Sequence, residues 1–385
     1  MKRRKDGRLC AKVAIGNGKS KFVYAQTKKE LDRKVTELKI KLGKGLDVQA
    51  DKDTLLNWVN RWLKIKKSEV SLGRYQTYQA RIKNLEPLYN TPIAQIRTAD
   101  LQEIALDMFS DGYAAKTIKD YKNAARQIFE MAVDNRIIEY NPAANIKIPA
   151  AAPSETKRAL TEEEQAWITA DSENRGHTAA MLMLYAGLRR GEMIALTWPD
   201  VDFDNKCITV NKSVKFENNR PVLKSGGKTK KATRTVYIPQ ILVDYLQTLP
   251  KSTNMLVCPS AKGELMSECA FRKMWSSYQA ELNYKFGNFD GQICTDTKTG
   301  KIKEFVKPES KYDPKGVPMV IPNITAHMLR HTFITNMYLA GVDALTACEQ
   351  AGHEDVQTTL NIYTHLDSIY KKKEISKLDD FYAAK

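Results

Sequence analysis

The sequence predicts a multidomain fold: a small β-sheet-plus-helix module over residues 1–48, an all-α module over 51–150, and a mixed α+β, mainly helical domain over 156–385. Three observations carry this expectation. At 385 residues the chain is too long for one ordinary domain. Its apolar residues alternate near the N-terminus, recur at helical spacing after residue 51, and mix the two patterns after residue 156. The proline-bearing stretches Asn141-Pro142 and Pro149 to Pro153 read as a linker between the second and third modules.

In the first module, Leu9–Ile15 and Lys21–Ala25 read as strands joined by a tight turn at Gly16-Asn17-Gly18. Thr27-Lys28-Lys29-Glu30 then has the form of a capping box. It opens a helix through Leu31, Val35 and Leu38 that stops at Gly43 and Gly45. The second module should hold four helices: Leu55 to Leu63, Leu72 to Leu85 before Pro87, a third capped by Thr98 that ends at Gly112, and a fourth from Ile118 to Ala132. In the third, Thr161-Glu162-Glu163-Glu164 caps a helix, and residues 178–196 read as another. Strands are expected at Cys207–Val210, Ser213–Phe216 and Thr235–Ile238, with a lysine-rich turn over Lys224–Lys231. Residues 284–320 are polar, and Ile293–Phe305 within them has the pattern of a hairpin; helices return from Thr325.

The net charge of +16 favours a polyanionic partner, DNA or RNA first. Its distribution strengthens this. Residues 1–45 hold fifteen Lys/Arg against four Asp/Glu, a concentration that suits phosphate contact and that solubility does not require. The six cysteines are scattered without a Cys-x-x-Cys pair, which argues against a thiolate zinc site and fits a reducing compartment. No apolar run is long enough to span a membrane, and the charged start Met1–Lys5 is followed by no apolar segment, so a cytoplasmic location is expected.

Chemistry is concentrated toward the C-terminus. His327 and Arg330 stand three apart on one expected helix face, His353 follows Gly352, and Tyr363 comes ten residues later. Far upstream lies Gly187-Leu188-Arg189-Arg190-Gly191-Glu192. The spaced set Ala186–Glu192, Thr325–Phe333 and Ala351–His365 resembles the tyrosine recombinases, the family of phage integrases, bacterial dimer-resolution recombinases and conjugative-transposon integrases. Ala351 departs from the leucine common at that position, a packing difference.

The resemblance implies an arm-type DNA-binding domain over 1–48, a helical core-site DNA-binding domain over 51–150 and a catalytic domain over 156–385. It further implies a homo-tetramer on double-stranded DNA that exchanges strands through a Holliday junction. Excision and DNA-bending proteins would be accessory partners, and the segment Leu366–Phe381 would dock on a neighbouring protomer or fold back on its own domain.

The chemistry asks for these residue types. Displacement at a phosphodiester spreads negative charge over the non-bridging oxygens, and two planar, permanently charged guanidiniums suit it; Arg189 and Arg330 are the candidates. Arg189 also stands three residues before Glu192, an ion-pair spacing, and the resemblance makes Glu192 a buttress for it. Arg190 is expected to face away. A phenol with a pKa near ~10 needs help to attack at neutral pH. The resemblance implies Tyr363 as nucleophile, His327 in proton transfer and phosphate contact, and His353 as a donor to a non-bridging oxygen. It assigns Lys228 as general acid for the departing 5′ oxygen, with Lys230 and Lys231 as rivals because the turn length is open. His331 and His365 are expected bystanders. A phosphotyrosine link conserves the energy of the broken bond, so no metal, ATP or other cofactor is expected. The alternatives are a type IB topoisomerase, separable by plasmid relaxation without recombinant product, and an inactive DNA-binding regulator, separable by the absence of a covalent adduct.

Overall fold

A computed structural model of the chain describes residues 2–3, 6–16, 19–48, 53–150, 158–225, 233–251, 255–295, 302–304, 317–363 and 382. The chain divides into two compact units, 1–156 and 157–385.

The first unit opens with a three-stranded antiparallel sheet of β1 (Lys2–Arg3), β2 (Leu9–Gly16) and β3 (Lys19–Ala25), in the order β1-β2-β3. Helix α1 (Lys28–Gly43) begins at Thr27, whose hydroxyl accepts the Glu30 N–H at 3.2 Å, and buries Leu31 and Leu38. The helical part holds α2 (Leu55–Glu69), α3 (Leu72–Ile82), α4 (Thr98–Ser110) and α5 (Ala115–Asp134). Pro87 falls in a 3₁₀ stretch, Lys83–Leu88, so α3 ends earlier than its apolar pattern suggests. Thr98 is not the cap expected of it. It is the first helical residue of α4 and its hydroxyl donates to the Pro142 carbonyl, while the Asp100 carboxylate accepts the Arg97 N–H at 2.8 Å. The core of this part is Trp58, Trp62, Leu101, Tyr121, Ile128 and Phe129 with their neighbours.

The second unit begins at α6 (Glu162–Thr169), capped reciprocally by Thr161 and Glu164. Helix α7 (Arg175–Tyr185) is buried almost all round and packs against α6, α8 (Arg190–Ala195), α9 (Gln240–Thr248), α10 (Glu268–Phe286) and α11 (Ala326–Leu339). A sheet of β4 (Val201–Asp202), β5 (Cys207–Val210) and β8 (Arg234–Tyr237) lies beside a separate hairpin of β6 (Lys212–Glu217) and β7 (Arg220–Ser225). β7 takes the beginning of the stretch expected as a lysine-rich turn. Its real turn is Asn218-Asn219, both at positive φ (50° and 68°), a two-residue geometry that asparagine tolerates. β9 (Ile293–Thr295) and β10 (Ile302–Glu304) pair antiparallel, as the hairpin pattern over Ile293–Phe305 predicts.

The expected continuous helix over 178–196 is broken. Gly187 takes φ +58°, and residues Ala186–Arg189 separate α7 from α8. A Cβ on Gly187 would stand 2.2 Å from a ring carbon of Phe333, so the break needs glycine for both its backbone angle and its packing. Helices α12 (Ala344–Ala351) and α13 (Val356–Tyr363) pack on α11 through Phe333, Ile334, Met337, Ala351 and Ile362. Among the described residues no helix is long and apolar enough to cross a membrane, and the five described cysteines are free.

Candidate active site

The site forms where the break before α8, the end of α12, helix α11 and strand β8 meet. The break after α7 makes Arg189 the N-cap of α8, with extended backbone. There the Arg189 N–H donates to Glu192 Oε2 at 2.9 Å, and its Nη1 donates to Oε1 of the same carboxylate at 2.8 Å. The ion pair expected from the sequence is therefore present, but at a helix start instead of within a continuous helix.

Helix α12 ends at Gly352 in the left-handed conformation, φ +63°. Its last turn closes with Gly352 N–H to the Glu349 carbonyl at 2.9 Å and His353 N–H to the Cys348 carbonyl at 3.0 Å. This turns the remaining carbonyls of the helix end toward three arginines from three elements. Arg234 Nε, on β8, donates to the Gln350 carbonyl at 3.1 Å. Arg330 on α11 donates to the Ala351 and Gly187 carbonyls, and Arg189 Nη2 donates to the Gly352 carbonyl. The C-terminal carbonyls of a helix carry partial negative charge and lack partners within it, which suits guanidinium donors.

The single buried anion among these groups is Glu192. Burial pushes its carboxyl up, but the Arg234 fork, the Arg189 N–H and the Arg189 charge outweigh burial and hold it down at about 2. Arg234 grips both carboxylate oxygens, Nη1 to Oε1 at 3.0 Å and Nη2 to Oε2 at 2.9 Å. Arg330 is 3% exposed. Burial, and then the positive field of Arg189, lower its guanidinium to about 9, still charged at neutral pH.

His353 follows Gly352 directly. Its Nδ1 lies 2.9 Å from the Thr359 hydroxyl, midway along α13. Burial, then the charges of Arg330 and Arg189 with smaller contributions from His331 and His327, lower it to about 4, so the ring is neutral at pH 7. His327 lines a cleft of about 650 Å³ together with Arg189 and Arg330. Its ring meets that of His331 edge to face, 4.7 Å between centroids, so His331 packs on a site residue.

The same cleft holds residues that sequence reasoning passed over. Arg190, expected to face away, lines it, with its guanidinium over Phe216 and Phe271 and 3.5 Å from Glu268. Arg272 lines the α10 side. Arg234 lies outside the cleft lining, and its sequence signal is slight: a charged residue that opens a β-patterned run. Thr359, the partner of His353, had no such signal. Tyr363 is the last residue of α13, and its side chain lies outside what the structure describes. Lys228, Lys230, Lys231, His365 and the segment Leu366–Phe381 also lie outside the described residues. Among the described residues no group of three or more His, Cys, Asp or Glu comes together as a metal site.

The model of the phage integrase family matches residues 158–368. The chain is 28% identical to a tyrosine recombinase XerC-like protein of Caldanaerobacter subterraneus subsp. tengcongensis, over 96% of this chain and 95% of that one. It is 27% identical to the transposase from transposon Tn916 of Enterococcus faecalis, over 98% and 93% of the two chains. Among solved structures it resembles the Tn1549 transposon integrase in complex with a circular intermediate DNA, with a TM-score of 0.64 and 20% identity over 84% of this chain and 99% of that one. A lambda integrase tetramer bound to a Holliday junction gives a TM-score of 0.54 and 18% identity over 95% and 96%.

Proposed function

This chain belongs to the phage integrase family, and on that premise we propose how its residues carry out site-specific recombination. It is a tyrosine recombinase, an enzyme that cleaves and rejoins DNA strands. The observation that carries the reading is that Arg189 and Arg330, 141 residues apart in the chain, donate to the carbonyls of the adjacent residues Gly352 and Ala351. That brings two guanidiniums to one place beside His353, with His327 on the same cleft.

The scissile phosphate would sit in this cleft, its non-bridging oxygens held by Arg189, Arg330 and His353. Tyr363 would attack phosphorus, its proton leaving with help from His327, to form a 3′-phosphotyrosine link and release a 5′ oxygen. Lys228, or one of Lys230 and Lys231, would protonate that oxygen. Residues 1–48 would bind arm-type sites and 51–150 the core site, with 156–385 as the catalytic domain. In support, the first unit sets Arg61 over Trp58 and Arg74 over Tyr78, each 4.8 Å from the ring centroid, which puts two exposed guanidiniums on α2 and α3. The working form would be a homo-tetramer on double-stranded DNA at the ends or attachment sites of a mobile element, with excision and DNA-bending proteins as accessory partners.

The test is a covalent protein–DNA adduct on duplexes taken from the borders of the element, resolved under denaturing conditions. Adduct is expected in the presence of a chelator, and Tyr363→Phe should lose it while still binding. Adduct surviving Tyr363→Phe would reject the nucleophile.

A further inference from the structure

We propose that Arg234 is a positioning residue for strand cleavage, clamping Glu192 and the C-terminal end of α12 so that Arg189 and His353 face the phosphate together. The proposal rests on the recombinase reading above.

Arg234 is the first residue of β8 and is not among the residues that line the cleft. Its side chain is only 10% exposed, and all three of its nitrogens donate: Nη1 and Nη2 to the two Glu192 oxygens, Nε to the Gln350 carbonyl. Each partner adjoins a group proposed to hold phosphate, one through a hydrogen bond and the other through the chain. Glu192 accepts from Arg189, and Gln350 immediately precedes the two carbonyls that take Arg330 and Arg189, with His353 next in the chain. The guanidinium also fills the space beside residue 352, where a Cβ would stand 2.8 Å from Arg234 Cζ, Nε and Nη1. Gly352 thus admits Arg234 as well as closing the helix.

Gln350 strengthens the join from the other side. Its Oε1 accepts the Tyr237 N–H at 2.8 Å, and its Nε2 donates to the Thr235 carbonyl at 3.4 Å, so with Arg234 included β8 is tied to α12 at three of its four residues. A buried ion pair adds little net stability over apolar packing of the same volume. Its fork geometry does fix orientation, because a planar guanidinium meets both carboxylate oxygens in one arrangement only.

The experiment uses the full chain and a nicked duplex whose cleaved fragment diffuses away, under single-turnover conditions at saturating DNA. Arg234→Lys keeps the charge but cannot make the fork. It should slow adduct formation by on the order of 10²-fold with DNA affinity unchanged. With the fork gone, Glu192 should titrate higher than in the parent, so the acid limb of the cleavage rate should move to higher pH in the variant. In a Glu192→Gln background, Arg234→Lys should slow cleavage no further. A wild-type rate and pH profile in Arg234→Lys would overturn the proposal. So would a slower rate that only follows the folded fraction with the profile unmoved. If the parent forms no Tyr363-linked adduct at all, the recombinase reading itself fails and takes this proposal with it.

Discussion

Replacing Glu192 with glutamine removes the one anion that four N–H donors converge on: the Arg189 backbone and Nη1, and Arg234 Nη1 and Nη2. The glutamine amide can accept at one oxygen only, and its NH₂ would point donors at donors. The cost follows from the carboxyl's own titration. Held from 4.5 down to about 2, it contributes about 3 kcal/mol at neutral pH, at roughly 1.4 kcal/mol per unit. That agrees with the ~3–5 kcal/mol expected when one partner of a buried pair is removed. For a unit of this size, Tm should fall by about 6–12 °C.

The sign with pH is fixed. A depressed carboxyl stabilises fully above its unfolded value and loses that contribution as pH falls from 4.5 through about 2. Calorimetry of the full chain and of Glu192→Gln across this range should therefore show a gap that is widest near neutrality and closes toward pH 2. Other carboxylates titrate in both proteins and cancel in the difference. A gap under about 1 kcal/mol at pH 7, or one that stays constant with pH, would refute the assignment of Glu192 as the central counter-charge.

Gly352→Ala should be more damaging than an ordinary helix-end substitution. It combines a φ of +63° with a Cβ 2.8 Å from the Arg234 guanidinium, so a loss of about 2 kcal/mol or more in urea unfolding is expected, with impaired adduct formation. His353, held near 4 in the free protein, should take up a proton when a phosphodiester seats beside it at about pH 5, since added negative charge raises an imidazole. Calorimetric titrations in buffers of different ionisation enthalpy read this directly, and His353→Gln should abolish it; uptake that persists belongs to another group. Of the three lysines, the general acid is the one whose alanine variant slows cleavage by about 10²–10⁴-fold on ordinary DNA but is rescued when sulfur replaces the departing 5′ oxygen. If none of the three shows that rescue, the acid lies elsewhere.

Much of the fold was legible because its signals are local. Thr27-Lys28-Lys29-Glu30 and Thr161-Glu162-Glu163-Glu164 state their own helix starts: both threonine hydroxyls cap, and the reciprocal half forms from Glu164, whereas Glu30 accepts the Gln26 N–H instead of that of Thr27. The errors fall where tertiary contacts override a local pattern. Residues 178–196 carry helical periodicity throughout, yet Phe333, far along the chain, occupies the space beside Gly187 and the helix breaks there. Thr98 is a good cap by composition, but Pro142 offers its hydroxyl an acceptor and Asp100 satisfies Arg97 instead. The β6–β7 hairpin is marked in the sequence by Asn218-Asn219, a pair suited to two consecutive positive φ values, while the lysines that follow carry a loop's composition into β7.

The candidate site was legible by its motifs, and what the motifs do not say is why three arginines tolerate one another. Apart from Glu192, which Arg189 and Arg234 share, their partners are carbonyls: Gln350, Ala351, Gly352 and Gly187. Carbonyl oxygens direct an N–H without cancelling a formal charge, whereas carboxylates would do both. Arg189, Arg234 and Arg330 against Glu192 alone leave two positive charges, next to an imidazole that the same field keeps neutral. Had the end of α12 presented acids in place of backbone, the guanidiniums would be equally well placed but quenched. A helix terminus supplies direction at partial charge, so the remaining positive potential stays available to an arriving phosphate. That is a reason for Gly352 beyond the turn it makes: the carbonyl that orients Arg189 belongs to the same residue whose missing side chain makes room for Arg234.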